Sequence, residues 1–260
     1  MNPGNQTDPE VHIAPLDETG RKLWAMIISI AEQLDGDWTL VGGLMVQLHA
    51  YRNSRRAHRT TAGRDIIVRT TTDIDILANS RRTPSSTEEV AASLERLGFQ
   101  QLPPTNLIEP DIAFVYERDD LQVDLLAPDG VRDTPRTSPG RRTVPIPGGT
   151  QALQRTIPIP VVMDDGSRAT VPVPTLLGAL LIKARSLLVH QDPDAQRQDL
   201  VALLSYVDDP LEMRDQMRKT ETTWLRRIEK PLNLGDPLLG RIYAAEDIRR
   251  AQATYTLLVN

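Results

Sequence analysis

The sequence predicts an α/β (α+β) unit with a mixed sheet, followed by an all-helical unit, on three observations. Short apolar strands alternate with amphipathic helices through the first two-thirds of the chain. Two β-rich segments flank Asp164-Asp165-Gly166, a turn signal. From Thr175 onward the texture becomes helical, which puts a boundary near residue 174. The implied organisation is a loose leader over 1–17, an α/β domain over 18–174 and a helical domain over 175–260.

Taken in order, Leu23, Ile27, Ile30 and Leu34 recur at helical spacing and predict a helix over about 20–35. Trp38 to Val41 is a short apolar strand that runs into Gly42-Gly43, and a helix follows from about Leu44 to Tyr51. Residues 52–64 are a basic loop, and Asp65 to Ala78 alternates like a strand. Ser86 and Glu89 form a capping-box pattern ahead of the stripe Val90, Leu94, Leu97, and Gly98 stops that helix. Phe99 to Pro110 reads as irregular. Ile112 to Tyr116 and Leu121 to Leu126 read as strands, and the Pro-, Gly- and Arg-rich segment 128–150 as a long loop. Prolines restrict Ile157 to Met163 and Ala169 to Val173 to edge strands of a hairpin. Leu176–Val189, Ala195–Val207, Pro210–Lys219, Glu221–Ile228 and Leu238–Leu257 are candidate helices.

Composition narrows the function classes. The absence of cysteine excludes disulfides and thiolate metal sites. No run approaches the length of a membrane span, and Met1 to Asp17 is too polar for a secretory signal, so a cytoplasmic protein with no membrane partner is expected. A net charge of −5 argues against coating nucleic acid through the overall field. It leaves room for a local patch, and Arg52, Arg55, Arg56, Arg59, Arg64 and Arg69 fall in a stretch whose one acid is Asp65.

The residues that carry chemistry are aspartates in strands. In Thr72-Asp73-Ile74-Asp75-Ile76-Leu77, alternation sends Asp73 and Asp75 to one face and Ile74 and Ile76 to the core. Their Cα atoms would lie roughly 6.6–6.8 Å apart, so their oxygens can converge on one hard cation such as Mg²⁺. Alone, Asp-x-Asp also fits a solvated edge strand. Two features add to it. Val123-Asp124-Leu125-Leu126 is a second apolar strand interrupted by one aspartate, the third carboxylate that a two-metal site needs. Gly42-Gly43 stands between strand and helix, where exposed N–H groups favour phosphate.

The order Leu40-Val41-Gly42-Gly43, then Arg69-Thr70-Thr71-Thr72-Asp73-Ile74-Asp75, then Val123-Asp124-Leu125 resembles the DNA-polymerase-β nucleotidyltransferase superfamily. It is most similar to the AbiEii/MenT-type toxins of bacterial toxin–antitoxin pairs. The resemblance extends to Lys183 and to Arg197-Gln198-Asp199-Leu200, which are similar to that family's downstream Lys and Arg-x-Asp-Leu motif, and it covers roughly residues 36–205. Leu44 and Met45 depart from the small residue that often follows the family's glycine turn. The resemblance implies a nucleotidyltransferase fold with two Mg²⁺ ions on Asp73, Asp75 and Asp124, and transfer of a nucleotide from a nucleoside triphosphate (NTP). Gly42, Gly43, Lys183 and Arg69 would hold the triphosphate, and Asp199 would hold Lys183. The implied acceptor is the 3′ end of tRNA, and the implied partner a cognate antitoxin. Transfer to a small aminoglycoside, or an inactive nucleotide- or partner-binding relative, are the alternatives.

Read physically, Lys183 lies in a nearly apolar helix, where a buried ammonium is costly unless paired. It either ties to Asp199 structurally, snorkels to water, or reaches the triphosphate. Arg197 is as compatible with a surface ion pair as with phosphate. His49 needs no chemical role, and Trp24, Trp38 and Trp224 read as core or interface anchors.

Overall fold

The computed structural model describes residues 10–15, 17–34, 37–57, 69–104, 108–138, 140–190 and 193–260. In chain order the first part comprises β1 (Val11–Ile13), α1 (Glu18–Gln33), β2 (Trp38–Val41), α2 (Gly42–Ala57), β3 (Asp73–Ala78) and α3 (Ser86–Arg96). It continues through β4 (Gln100–Gln101), β5 (Val115–Arg118), β6 (Leu121–Pro128), β7 (Arg136–Ser138), β8 (Arg141–Arg142) and β9 (Val144–Ile146). Then come α4 (Gly149–Gln154), β10 (Thr156–Met163) and β11 (Arg168–Pro174). From there every described element is helical: α5 (Leu176–Leu187), α6 (Pro193–Ser205), α7 (Pro210–Asp215), α8 (Lys219–Arg227), α9 (Glu229–Leu232), a 3₁₀ turn (Pro237–Arg241) and α10 (Ala245–Val259). The chain is thus α/β with mixed sheets and a helical C-terminal part. No described helix is long and apolar enough to cross a membrane.

The main sheet runs β2-β3-β6-β5-β4. Its centre is the parallel pair β3/β6, flanked by antiparallel β2 and β5. The outer edge of β6 is shared: β5 pairs along Leu121–Asp124 and β9, parallel, along Leu126–Pro128. Both central strands alternate at their N-terminal ends, with half-buried Asp73, Asp75, Gln122 and Asp124 on one face and Ile74, Ile76, Val123 and Leu125 in the core. The site therefore sits where these strands begin, above an apolar floor.

A second sheet has the order β1-β10-β11. Pro158 and Pro160 are accommodated in its middle strand because β1 pairs only along Val161–Met163, beyond them. Pro172 and Pro174 lie on β11, which packs beside β2 without a backbone ladder; the Thr39 hydroxyl donates to the Pro172 carbonyl instead (3.2 Å).

Several expectations are corrected. Val11–Ile13 is a strand with buried Val11 and Ile13, not part of a loose leader; residues 1–9 lie outside the described residues. Helix α2 extends to Ala57 into the expected basic loop, and the strand over 65–78 begins only at Asp73, so Arg69 precedes it. Residues 58–68 lie outside the described residues. The segment 128–150 is not one long loop. It forms the β7–β8 hairpin, then β9, which completes the edge of β6, and then α4, at whose start the amides of Gly148, just before the helix, and Thr150 donate to Asp129 (both 3.0 Å). Ser85 rather than Ser86 meets Glu89, hydroxyl to carboxylate at 2.7 Å, with no capping bond to the backbone. The expected helix over 238–257 is broken into the 3₁₀ turn and α10.

One hydrophobic cluster runs through both parts, from Trp24 and Ile76 to Leu200 and Leu258. The C-terminal helix is fixed at its end by Arg214 and Arg226, which donate to the Leu257 and Val259 carbonyls (3.4 and 2.8 Å). The two parts are also joined by a buried ion pair. Arg155, at the end of α4, donates to Glu221 of α8 at 2.9 Å, and Glu221 accepts the Arg218 amide as well. Glu221 is fully buried, so removing its cation strands a carboxylate. Arg155→Met is expected to destabilise the fold by about 3–5 kcal/mol in urea titration. Adding Glu221→Leu should recover most of the loss, whereas additive losses would show that the pair is not coupled.

Candidate active site

The parallel register of β3 and β6 pairs Asp75 with Asp124 directly and Asp73 with Gln122. One carboxylate oxygen from each of Asp73, Asp75 and Asp124 lies within 4.8 Å of the other two. Neighbouring side chains aim them. The Thr71 hydroxyl donates to Asp73 Oδ1 (2.6 Å), and the Gln122 amide donates to Asp124 Oδ1 (2.8 Å).

The glycine pair is locked against the same groups. Gly42 is the first residue of α2 and adopts φ +66°, a left-handed conformation that a side chain disfavours. A Cβ there would also run into the Asp75 carboxylate. A Cβ at Gly43 would sit 2.7 Å from the Thr71 Cβ. The turn must therefore be glycine at both positions for Asp75 and Thr71 to stand where they do. Leu44 and Met45, the departure noted in the sequence, are buried in the core and leave the turn untouched. Gly42 and Gly43, the first residues of α2, line the cleft, and helix N-termini favour anions.

Two cations also line the cleft, Lys183 from the helical part and Arg69 beside Gly43. Lys183, buried on α5, pairs with Asp199 of α6 at 2.7 Å and donates to Gln196 Oε1 at 3.3 Å. Arg69 reaches the same aspartate, Nε to Oδ1 at 3.4 Å. Its carbonyl is held by Gln47 (3.1 Å), which in turn accepts from the Trp24 indole (3.1 Å). Lys183 is thus tied to Asp199 rather than snorkelling to water, and it also lines the cleft.

These groups line one open cleft of about 660 Å³, together with Thr70, Thr72, Phe114, Leu126, Ile146, Ile182, Ser186, His190, Ala195 and Gln196. The volume suits a small-molecule substrate (about 300–1,000 Å³). Gly42, Gly43, Arg69, Asp73, Asp75, Asp124 and Lys183 are all brought together there, while Asp199 stands behind Lys183 and Arg69, almost wholly buried. Arg197 is elsewhere, bound to the Pro231 carbonyl (3.1 Å), Asp194 (2.7 Å) and Asp236 (3.7 Å). His49 bonds the Pro174 carbonyl through Nε2 (2.9 Å). Burial pushes its pKa down to about 4, so the ring is neutral and structural at neutral pH. The side chains of Arg55, Arg56, Arg59 and Arg64 lie outside the described ones. Thr71, Gln122 and Gln196 were not anticipated. Gln122 was legible as the residue two positions before Asp124 on the same strand face; Thr71, ahead of β3, and Gln196 carried no such signal.

The electrostatics suit a divalent cation. Burial, then the charges of Asp73 and Asp124, push the Asp75 carboxyl up to about 7 against the opposing pull of Lys183 and Arg69. Burial is also the main cause that raises Asp124 to about 6, with Asp73 adding to it and the Gln122 bond opposing. Fully ionised, four carboxylates (Asp73, Asp75, Asp124, Asp199) face two cations (Arg69, Lys183), an excess equal to the charge of one divalent ion. An all-carboxylate donor set open to a cleft fits Mg²⁺, which takes one or two carboxylates and shares the rest of its shell with water and phosphate. No family model matches the chain, and no curated protein matches it either.

Because folding raises the Asp75 pKa from 3.8 to about 7, the protonated form is favoured in the fold. That contribution to stability is fully present below pH 3.8 and is lost as pH rises through about 7. In chelator, Asp75→Asn should therefore melt several degrees above the wild type at pH 8, at about 2–4 °C per kcal/mol. The gap should close towards pH 4 and also shrink at pH 8 when Mg²⁺ is added. A gap independent of pH would refute this account of the site.

Proposed function

We propose that the protein is a Mg²⁺-dependent nucleotidyltransferase of the polymerase-β type, resembling the AbiEii/MenT toxins. On this reading it transfers a nucleotide from an NTP to the 3′ end of tRNA. The observation that carries the reading is the juxtaposition of three carboxylates on adjacent parallel strands with a glycine-started helix N-terminus and two cations in one cleft. Phosphoryl transfer needs little covalent chemistry from the protein; it needs positioning and charge compensation.

Asp73, Asp75 and Asp124 would hold the metal, which when bound polarises the phosphoryl oxygens and favours the acceptor's alkoxide. The amides of Gly42 and Gly43 face the phosphate chain. Lys183 and Arg69 neutralise it, each oriented by Asp199. Asp124, on the strand farther from the glycine turn, faces the attacking hydroxyl and accepts its proton at the carboxylate. As the toxin of a toxin–antitoxin pair, the protein would arrest translation, and a cognate antitoxin would oppose it.

Incubation with each labelled NTP, Mg²⁺ and total bacterial RNA tests the proposal directly. Labelled tRNA that disappears in chelator is expected. Asp73→Asn and Asp75→Asn should each lower labelling by about 10²–10³-fold or more while the protein stays folded. Near-normal labelling by either variant would remove the carboxylate from the site. Labelling of an aminoglycoside and no RNA would replace the acceptor. Lys183→Met should raise the Michaelis constant for NTP. Because it also leaves Asp199 with a weaker partner, a loss of stability is expected as well, partly relieved by Asp199→Asn. Lowered stability with unchanged NTP kinetics would make Lys183 purely structural.

A further inference from the structure

The cleft has an apolar side that the proposed chemistry leaves unused. Phe114, Leu126, Ile146 and Ile182 line it together. Leu126 lies two residues beyond Asp124 on β6, hence on the same face of the sheet and about 6.6–6.8 Å along the strand. Ile146 ends β9, which pairs with β6 from Leu126 onward. Phe114 immediately precedes β5, and its carbonyl accepts the Leu125 amide (2.8 Å). Ile182 is the neighbour of Lys183 on α5. The chain has only two phenylalanines; Phe99 is in the core, and Phe114 is half-buried at the cleft.

We infer that this wall is the acceptor subsite, and that Phe114 stacks on the planar, uncharged ring of the acceptor's terminal nucleoside. The inference rests on the nucleotidyltransferase reading and assigns residues to its second substrate. Across the sheet the order is Gly42 after β2, Asp73 and Asp75 on β3, Asp124 on β6, then Phe114 just ahead of β5 and Ile146 on β9. With the triphosphate at the glycine turn, in-line displacement brings the attacking hydroxyl from the opposite side, past Asp124. That is the side of the apolar wall.

Charge complementarity selects the occupant. Among the described residues lining the cleft, Asp73, Asp75 and Asp124 are the only carboxylates, and all three are committed to the metal. Arg69 and Lys183 add positive charge. A polycationic aminoglycoside would find no counter-charge there, whereas a nucleobase offers a neutral face to an aromatic ring and its phosphates to the cations.

The test uses the full chain and two readouts. In Phe114→Trp the indole reports occupancy of the wall by fluorescence, after subtraction of the wild-type signal. The probe is a trinucleotide RNA with a free 3′ hydroxyl, added with Mg²⁺ and an α,β-methylene NTP. Quenching by the trinucleotide, absent with kanamycin, is expected. In steady state, Phe114→Ala should raise the acceptor Michaelis constant at least about tenfold and leave that for NTP within about twofold. Phe114→Trp should stay near wild type, and Phe114→Leu, which keeps the bulk and loses the ring, should follow Phe114→Ala. Quenching saturated by the NTP analogue alone would place the donor base on the wall and overturn the inference. So would quenching by kanamycin, or normal acceptor kinetics in both Phe114→Ala and Phe114→Leu. If the NTP analogue with Mg²⁺ fails to raise the melting temperature of the wild type, the nucleotidyltransferase reading itself fails. A normal rise with no quenching by the trinucleotide removes only the subsite.

Discussion

The parallel register between β3 and β6 sets Asp75 beside Asp124, and the rest of the site is arranged around the repulsion this creates. Parallel strands cannot be joined by a tight turn, so the crossover through α3, β4 and β5 between them is a consequence of wanting two carboxylates level on adjacent strands. The apolar residues alternating with the aspartates pin that register, because a slip of one residue would send Ile74 and Val123 into the cleft and the carboxylates into the core. Burial and mutual charge then hold two of the three carboxyls well above the ordinary range. A site of this kind is unfavourable as it stands and becomes favourable with a cation.

The glycine turn is subject to the same constraint. A glycine that opens a helix, as Gly42 does, reads as a phosphate-binding feature. Here it has an earlier, steric duty: the Asp75 carboxylate occupies the space that its Cβ would fill. Gly43 does the same for Thr71, whose hydroxyl orients Asp73. The pair therefore links the carboxylate cluster to the start of α2 through van der Waals contact, so that neither can shift alone.

How much of this was legible in the sequence follows from which signals are local. Alternation within a strand needs only the strand, and Asp73, Asp75 and Asp124 were read from it. Trp38–Val41, α1 and the hairpin of β10 and β11 came out near their observed bounds for the same reason. Segments whose structure depends on a distant partner did not. Residues 128–150 look like a loop because β7, β8 and β9 are two or three residues long and carry no period. β9 exists because β5 leaves the end of β6 unpaired. Val11–Ile13 is a strand for a similar reason, with the edge of β10 as its partner. Arg69 was read into a strand by extending the alternation backwards. What holds it is Gln47 of α2 and Asp199 of α6, and no pattern near residue 69 announces either.

Asp199 shows how the helical part completes a site whose clustered carboxylates all lie on the sheet. It is almost wholly buried and contributes nothing to the cleft surface, yet it is the shared counter-ion of Lys183 and Arg69, which arrive from different parts of the chain. A buried carboxylate of this kind is costly unless both its oxygens are matched, so the two cations are constrained to one geometry. Without it, Lys183 and Arg69, whose charges already act on Asp75, would be drawn onto that carboxylate and neutralise the site from within. Holding them back on Asp199 leaves the sheet carboxylates for a metal and the outward faces of the two cations for an anion. That separation of charge across one cleft is what a triphosphate–metal pair requires.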